Sequence, residues 1–396
     1  MNMKTFYMLG LLLLCLCKIN AQDDLIDIGK KYTFKSEILS EERSYWVSLP
    51  ASYNQAHNSY KSYPVIYLLD GHIHFASVAG MCQFMGRPSN GSRKMPELIV
   101  VGVMNVDRQR DFTPDKIITR RENNTGGGKA FLSFLEEELI PEIDRKFRTA
   151  PYRILFGHSL GGLITTHAYL QDKSSFNAFL AIDPSFGTWD NTVMDEKLEV
   201  ISSRIFDRPL YMATANWGKR NIRNRDRHLR LYESLNSKCV GSFNGKLTYF
   251  ENESHSTVSL PAFYDAMSFL FEGYNFSYRN AGDIESLTSV YEQLSDRLGY
   301  TFKTPEELIN RIGYAKLRSR DDAGKELALS YFKLNVRLYP ESYNVYDSLG
   351  DAEYRLGNLD KAIECYEQSL ELNPEHTNAK EMIAKIQKES SSEGGN

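Results

Sequence analysis

The sequence predicts an α/β protein with a mostly parallel sheet, followed by an all-α unit. Three observations carry that prediction. Between Pro64 and Phe271, short apolar runs alternate with stretches whose apolar residues recur at helical spacing. One run, Tyr152 to Phe156, passes through a glycine-rich turn, Gly157-His158-Ser159-Leu160-Gly161-Gly162, directly into the helical stretch Leu160 to Leu170. Beyond Asn280 no strand-like run occurs, and the remaining helices carry a repeat pattern.

The glycine turn is the stretch with chemistry in it. Strand, tight turn and helix around G-x-S-x-G form a nucleophile elbow, the mark of an α/β-hydrolase. Ser159 sits in a strained turn with its hydroxyl above the sheet, and Gly157 and Gly161 leave room where side chains would collide. The helix behind Ser159 offers unpaired N–H groups to a developing oxyanion.

The elements follow in order. Lys31 to Ile38 and Arg43 to Leu49 alternate like two antiparallel strands. Pro64 to Leu69 reads as a buried strand ended by Asp70-Gly71, with an apolar helix over Ala76 to Met85. Pro96 to Met104 is the next strand, and the charged loop Asn105 to Pro114 lies at its end, where open α/β sheets build their sites. Lys129 to Phe147 has helical spacing, interrupted by Pro141. After the elbow come strands at Phe176 to Ile182, Pro209 to Ala215 and Lys246 to Phe250. Helices are expected at Val193 to Ile205, Asp226 to Leu235 and Leu260 to Phe271.

Past Asn280, Ile284 to Leu298 is amphipathic, and two helix pairs and a last helix follow. In the second pair Tyr346, Leu349, Gly350, Tyr354, Gly357, Ala362, Tyr366 and Pro374 fall at tetratricopeptide spacing. Gly350 and Ala362 let two helices approach, and Pro374 ends the repeat. In the first pair Gly313 is three residues out of step, which places an insertion in its helix turn. Two repeats are below the usual minimum for a free-standing array, so the unit is expected to pack on the preceding domain. The expected division is a leader over 1–21, a hydrolase domain over 22–279, a tetratricopeptide-like unit over 280–390 and a disordered tail over 391–396.

Composition narrows the function. The 396 residues carry a formal net charge of −4 with no basic tract, which argues against a nucleic-acid partner. Lys4, the apolar run Phe6 to Cys17 and the small residue Ala21 read as an export signal. The expected location is therefore periplasmic or secreted, with no integral membrane span in the mature chain; a lipid anchor is the lesser alternative. Cys82, Cys239 and Cys365 are too far apart for a disulfide framework or a zinc site. No metal and no cofactor is expected.

A serine hydroxyl needs a base. Of eight histidines, His255 occupies the loop after the last strand, where this architecture places it. His228 lies in a helix, and His158 is locked in the elbow. The acid orients the imidazole. Asp226 is the first acidic residue after the penultimate strand and is the leading candidate, although it could instead cap its helix. Glu253 is the alternative acid, and a Ser-His dyad or Asn216 as orienter also stay open. The oxyanion hole takes the N–H of Leu160 and one from His72 or Gly71. Arg108, Arg110, Phe75 and Trp189 are candidate walls of a substrate pocket, against ion pairing of both arginines with Asp107 and Asp111.

The chain resembles the esterase family that includes the enterobactin esterases and S-formylglutathione hydrolase. The stretches that carry the resemblance are PVIYLLDG at Pro64 to Gly71, VGVMNVDRQRDFTP at Val101 to Pro114, GHSLGG at Gly157 to Gly162, and ENESHSTV at Glu251 to Val258. DRQRDFTP is most similar to the siderophore-esterase branch. The resemblance implies Ser159 as nucleophile, His255 as base, and oxyanion donors at Leu160 and at Gly71 to His72. It also implies that the acid is dispensable in some relatives. Ser256 stands where the family often has glycine. The expected substrate is a small-molecule carboxylic ester, a siderophore lactone or an acylated sugar, with a protein partner open to the repeats. A non-catalytic, repeat-mediated binding protein is the rival reading.

Overall fold

The structure, a computed structural model, describes residues 27–88, 93–117, 124–188, 191–218, 222–280 and 282–393. Eight strands form one sheet: β1 (Lys30–Ser36), β2 (Glu41–Ser48), β3 (Tyr63–Leu68), β4 (Ile99–Val103), β5 (Thr149–His158), β6 (Ala178–Ile182), β7 (Leu210–Ala215) and β8 (Gly245–Phe250). Their order is β1-β2-β4-β3-β5-β6-β7-β8. β2 pairs antiparallel with β1 and β4, and every other pairing is parallel. Strands β3, β4, β6 and β7 are buried along their whole length. That burial is why they read as unbroken apolar runs.

The period of two divides each strand between two cores. Ile66, Leu68, Ile154 and Phe156 face one layer, which includes α1 (Gly71–Gly86). Val65, Tyr67 and Leu155 face the other. That second layer holds the short α2 (Arg108–Phe112), the helical segment 128–146 (α3) and α4 (Leu160–Tyr169). It continues through α5 (Asn191–Glu199) and α6 (Ile222–Lys238). A π-turn at Phe134–Leu139 runs into Pro141 within α3, where the proline supplies no N–H to a regular ladder. Helix α7 (Ser259–Leu270) returns to the α1 face.

β3 and β5 are neighbours, and the chain leaves them in opposite directions across the sheet. Their carboxyl ends are therefore a topological switch point, the usual place for a site in such a sheet.

Six helices follow: α8 (Ile284–Leu298), α9 (Glu306–Leu317), α10 (Asp322–Leu338), α11 (Tyr343–Arg355), α12 (Leu359–Leu372) and α13 (Thr377–Glu393). Gly350 meets the Tyr366 ring, and Gly313 meets that of Phe332; a Cβ at either would stand 2.7 Å from the ring. The second pairing is three residues longer in sequence, which is the insertion seen as a register slip. Leu287, Tyr291, Leu294 and Leu298 of α8 join Ile309 and Ile312 of α9 in the same core as α1 and α7. Charge reinforces the join: Glu307 accepts from Lys61 at 3.0 Å and Arg93 at 3.1 Å, and Arg93 also holds Glu97. The expected disordered tail is corrected in part, because α13 continues through Glu393; residues 394–396 and the leader 1–21 lie outside the described residues.

Candidate active site

Ser159 lies between β5 and α4 with φ 61° and ψ −118°, a conformation that L-residues rarely adopt. The turn survives because its neighbours leave space. A Cβ on Gly157 would stand 2.1 Å from the Gly161 carbonyl oxygen, and one on Gly162 would meet Ile182 O and Pro184 at 3.0 Å. The Ser159 N–H is fixed by Ile182 O, and its carbonyl accepts from the Ser185 N–H, both at 3.0 Å.

The Ser159 hydroxyl lies 3.0 Å from His255 Nε2. The loop carrying His255 arches back from β8 across the end of β7. Asn216 holds it there: its N–H donates to Glu253 O and its side-chain amide to Glu251 O. Asn216 thus clamps the loop and does not touch the imidazole.

The partner of His255 Nδ1 is Asp183 Oδ2, at 2.6 Å. This corrects the expectation of Asp226 or Glu253. Helix α6 begins at Ile222, four residues before Asp226, so Asp226 projects from its exposed face. Glu253 lies two residues before His255, in the loop clamped to Asn216. Asp183 follows β6, the strand beside β5, and so lies next to the end of the strand that carries the elbow. Its φ of 41° turns the carboxylate back over the sheet. A signal existed in the sequence: an aspartate closing the apolar run Ala178 to Ile182 and followed by Pro184.

Asp183 is fully buried. Burial works against its charge, but the hydrogen bond to His255 and N–H donors from Ala215 and Trp217 hold its carboxyl below the usual range. Ala215 N donates to Oδ1 at 3.0 Å, and Trp217 Nε1 to Oδ2 at 2.6 Å. The Trp217 ring lies 4.3 Å from that of His255, and His158 lies 4.5 Å from it. Burial, then the neighbouring His255 and His74, push His158 down to about 4, so it is neutral beside His255. His228 is also kept from protonation by burial, and its Nε2 lies 2.7 Å from Pro184 O, bracing the Asp183 loop.

The candidate oxyanion donors sit at two helix starts. Leu160 is the first residue of α4, and Gly71 and His72 open α1, so their N–H groups have no acceptor within their own helices. Asp70 precedes α1 with φ 54°. A Cβ on Gly161 would lie 3.4 Å from Asp70 Oδ2, so the two turns abut. Asp70 is buried and takes Arg108 through both oxygens, at 2.6 and 2.9 Å, with Asn105 at 2.5 Å.

The pocket expectation changes accordingly. Arg108 pairs with Asp70, not Asp107, and fastens the turn that opens α1. Arg110 is taken up by Asp111 and Glu41, in a network shared with buried Arg43. Phe75 faces the core, edge-on to Trp46 and beneath Gly102, and is no wall. Trp189 lies outside the described residues. Trp217 and Ser185, whose Oγ is 3.0 Å from Ser159 Oγ, are site residues that sequence reasoning missed. Among the described residues no group of three His, Cys, Asp or Glu side chains is placed to hold a metal ion.

The family described as Putative esterase matches residues 36–233, half of the chain. The chain belongs to this esterase family. It is a carboxylic ester hydrolase with a tetratricopeptide match at residues 343–376. Over 216 residues it is 29% identical to the ferri-bacillibactin esterase BesA of Bacillus subtilis, covering 50% of this chain and 74% of that one. It is 30% identical over 178 residues to the siderophore enterobactin esterase of Emericella nidulans, covering 39% of this chain and 57% of that one. A solved IroE-like serine hydrolase from Shewanella oneidensis superposes with a TM-score of 0.70 at 26% identity, over 78% of this chain and 99% of its own.

Proposed function

We propose that the protein is an exported serine esterase that opens siderophore lactones or esters through an acyl-enzyme on Ser159. The observation that carries this reading is the continuous line from Ser159 Oγ through His255 to Asp183. His255 Nε2 takes the serine proton as Oγ attacks the ester carbonyl. Asp183 keeps the Nδ1 proton in place and balances the imidazolium charge. The N–H groups of Leu160 and His72 receive the oxyanion. His255 then protonates the leaving alcohol, and water repeats the sequence to release the acid.

The substrate class rests on the named relatives, which act on bacillibactin and enterobactin. Export rests on the apolar stretch Phe6 to Cys17 behind Lys4. Among the described residues no helix is long and apolar enough to cross a membrane. The helical unit we read as a brace on the hydrolase domain, since the two share one core; its repeats leave a protein partner open.

A hydrolysis panel tests the substrate: a catecholate trilactone beside feruloyl, acetyl and short aryl esters. The highest kcat/KM is expected on the trilactone. A preference for acetylated or feruloylated sugars would assign the enzyme to carbohydrate esters instead.

A further inference from the structure

We propose that Trp217 is a positioning residue for the acid–base pair: its indole N–H shares Asp183 Oδ2 with His255 and restrains the basicity of the imidazole. This rests on the reading of Ser159, His255 and Asp183 as the reacting line.

Two donors converge on one oxygen. Trp217 Nε1 and His255 Nδ1 both lie 2.6 Å from Asp183 Oδ2, while Oδ1 is engaged by the Ala215 N–H. The indole N–H is neutral and never titrates, so it draws on the carboxylate charge whether His255 is protonated or not. A carboxylate already engaged this way holds an imidazolium less strongly than a bare one. The same side chain also acts through its ring, 4.3 Å from the imidazole, where a π-face favours the cation. One residue thus applies two opposed influences to the base.

Exposure argues that Trp217 is not there to fill a core. It is 40% exposed, at the mouth of the site, while the atoms its N–H serves are buried. Glycine follows at 218 with φ 61°, a left-handed turn that bends the chain away just after the indole. Among the described residues, the other titratable or charged groups around His255 include Asp183 from the β6 loop, His158 at the end of β5, Arg108 of α2, which reaches the His158 carbonyl at 3.4 Å, His228 from α6 behind Asp183, and Glu251 and Glu253 in its own loop. His158 and His228 are both kept neutral by burial.

The test is the pH profile of kcat/KM on a small aryl ester, for the wild-type chain, Trp217→Phe, and a chain carrying 3-benzothienylalanine at 217. The last keeps the bicyclic shape and lacks the N–H, so it answers even if the phenylalanine variant folds poorly. Loss of the N–H should move the acid limb to higher pH by about half a unit to one unit, the scale of one charge-assisted hydrogen bond. The plateau kcat should fall about three- to tenfold, because Asp183 Oδ2 loses one of the two donors that fix it beside the imidazole. An unmoved acid limb with only KM altered would make Trp217 a pocket wall and overturn the inference. Ser159→Ala runs alongside as a control. If that control keeps turning over, the serine reading itself fails; if it is dead and the acid limb stays put, only the role of Trp217 fails.

Discussion

His255 and Asp183 are 72 positions apart in the chain, and their side chains meet at 2.6 Å in a part-buried hydrogen bond. The carboxylate follows the strand next to the elbow, and the imidazole returns to it from the far edge of the sheet.

Asp183→Asn should therefore lower kcat/KM on a simple ester by about 10⁴-fold, because an amide can hold the wrong imidazole tautomer. Asp226→Asn and Glu253→Gln should change it by less than about threefold, since neither carboxylate reaches the imidazole. Steady-state kinetics on the three variants decides. Because the Asp183 carboxyl titrates below the usual range, activity of the wild type should not gain a limb from this group above about pH 5.

The sheet, the elbow and the helical repeat were legible because each is written in contiguous residues. Apolar runs named the strands, G-x-S-x-G named Ser159, and chain order pointed to His255. The acid was not legible, because its choice depends on which strand neighbours β5, a fact of sheet order that no local pattern encodes. Arg108 misled for a related reason: its partner, Asp70, is 38 positions away and looked like the plain end of a strand. Trp217 acts through a contact made across two loops.

Arg108→Ala should slow turnover by about 10²-fold, the effect of a displaced oxyanion donor, with a smaller change in KM. It strips the bidentate partner from buried Asp70, whose left-handed turn sets the N–H groups of Gly71 and His72. Arg108→Lys should recover little, since one ammonium cannot replace two parallel donors. A variant with full kcat and raised KM would show that Arg108 binds substrate instead.

Two glycines should respond in opposite directions. Gly157→Ala drives a methyl group into the Gly161 backbone and should destabilise the fold by about 3 kcal/mol or more. Gly80→Ala, in the interior of α1 with nothing within 4 Å, should stabilise it by roughly 0.5–1 kcal/mol. Urea melts of both variants measure this.

Acid should loosen the helical unit from the hydrolase domain. Burial disfavours the charge on Glu307, but Arg93 and Lys61 overcome it and hold its carboxyl down to about 2, from an ordinary 4.5. A depressed carboxyl contributes stability that is present above its unfolded value and is lost as pH falls through the folded one. The thermal midpoint should therefore drop between about pH 4.5 and 2, and Glu307→Gln should flatten part of that drop. Truncation before Ile284 uncovers the shared apolar core and should lower stability while affecting small and bulky esters alike.

The most direct measurement is covalent labelling by a fluorophosphonate, read by mass spectrometry, with ester turnover on the same samples. The wild type should gain one adduct, mapped to Ser159, and lose its turnover. Ser159→Ala should take no adduct and turn over below roughly one per cent of wild type, while its thermal melt is unchanged; His255→Ala should label far more slowly. Ester hydrolysis that survives in Ser159→Ala, or an adduct on a different serine, would contradict the account.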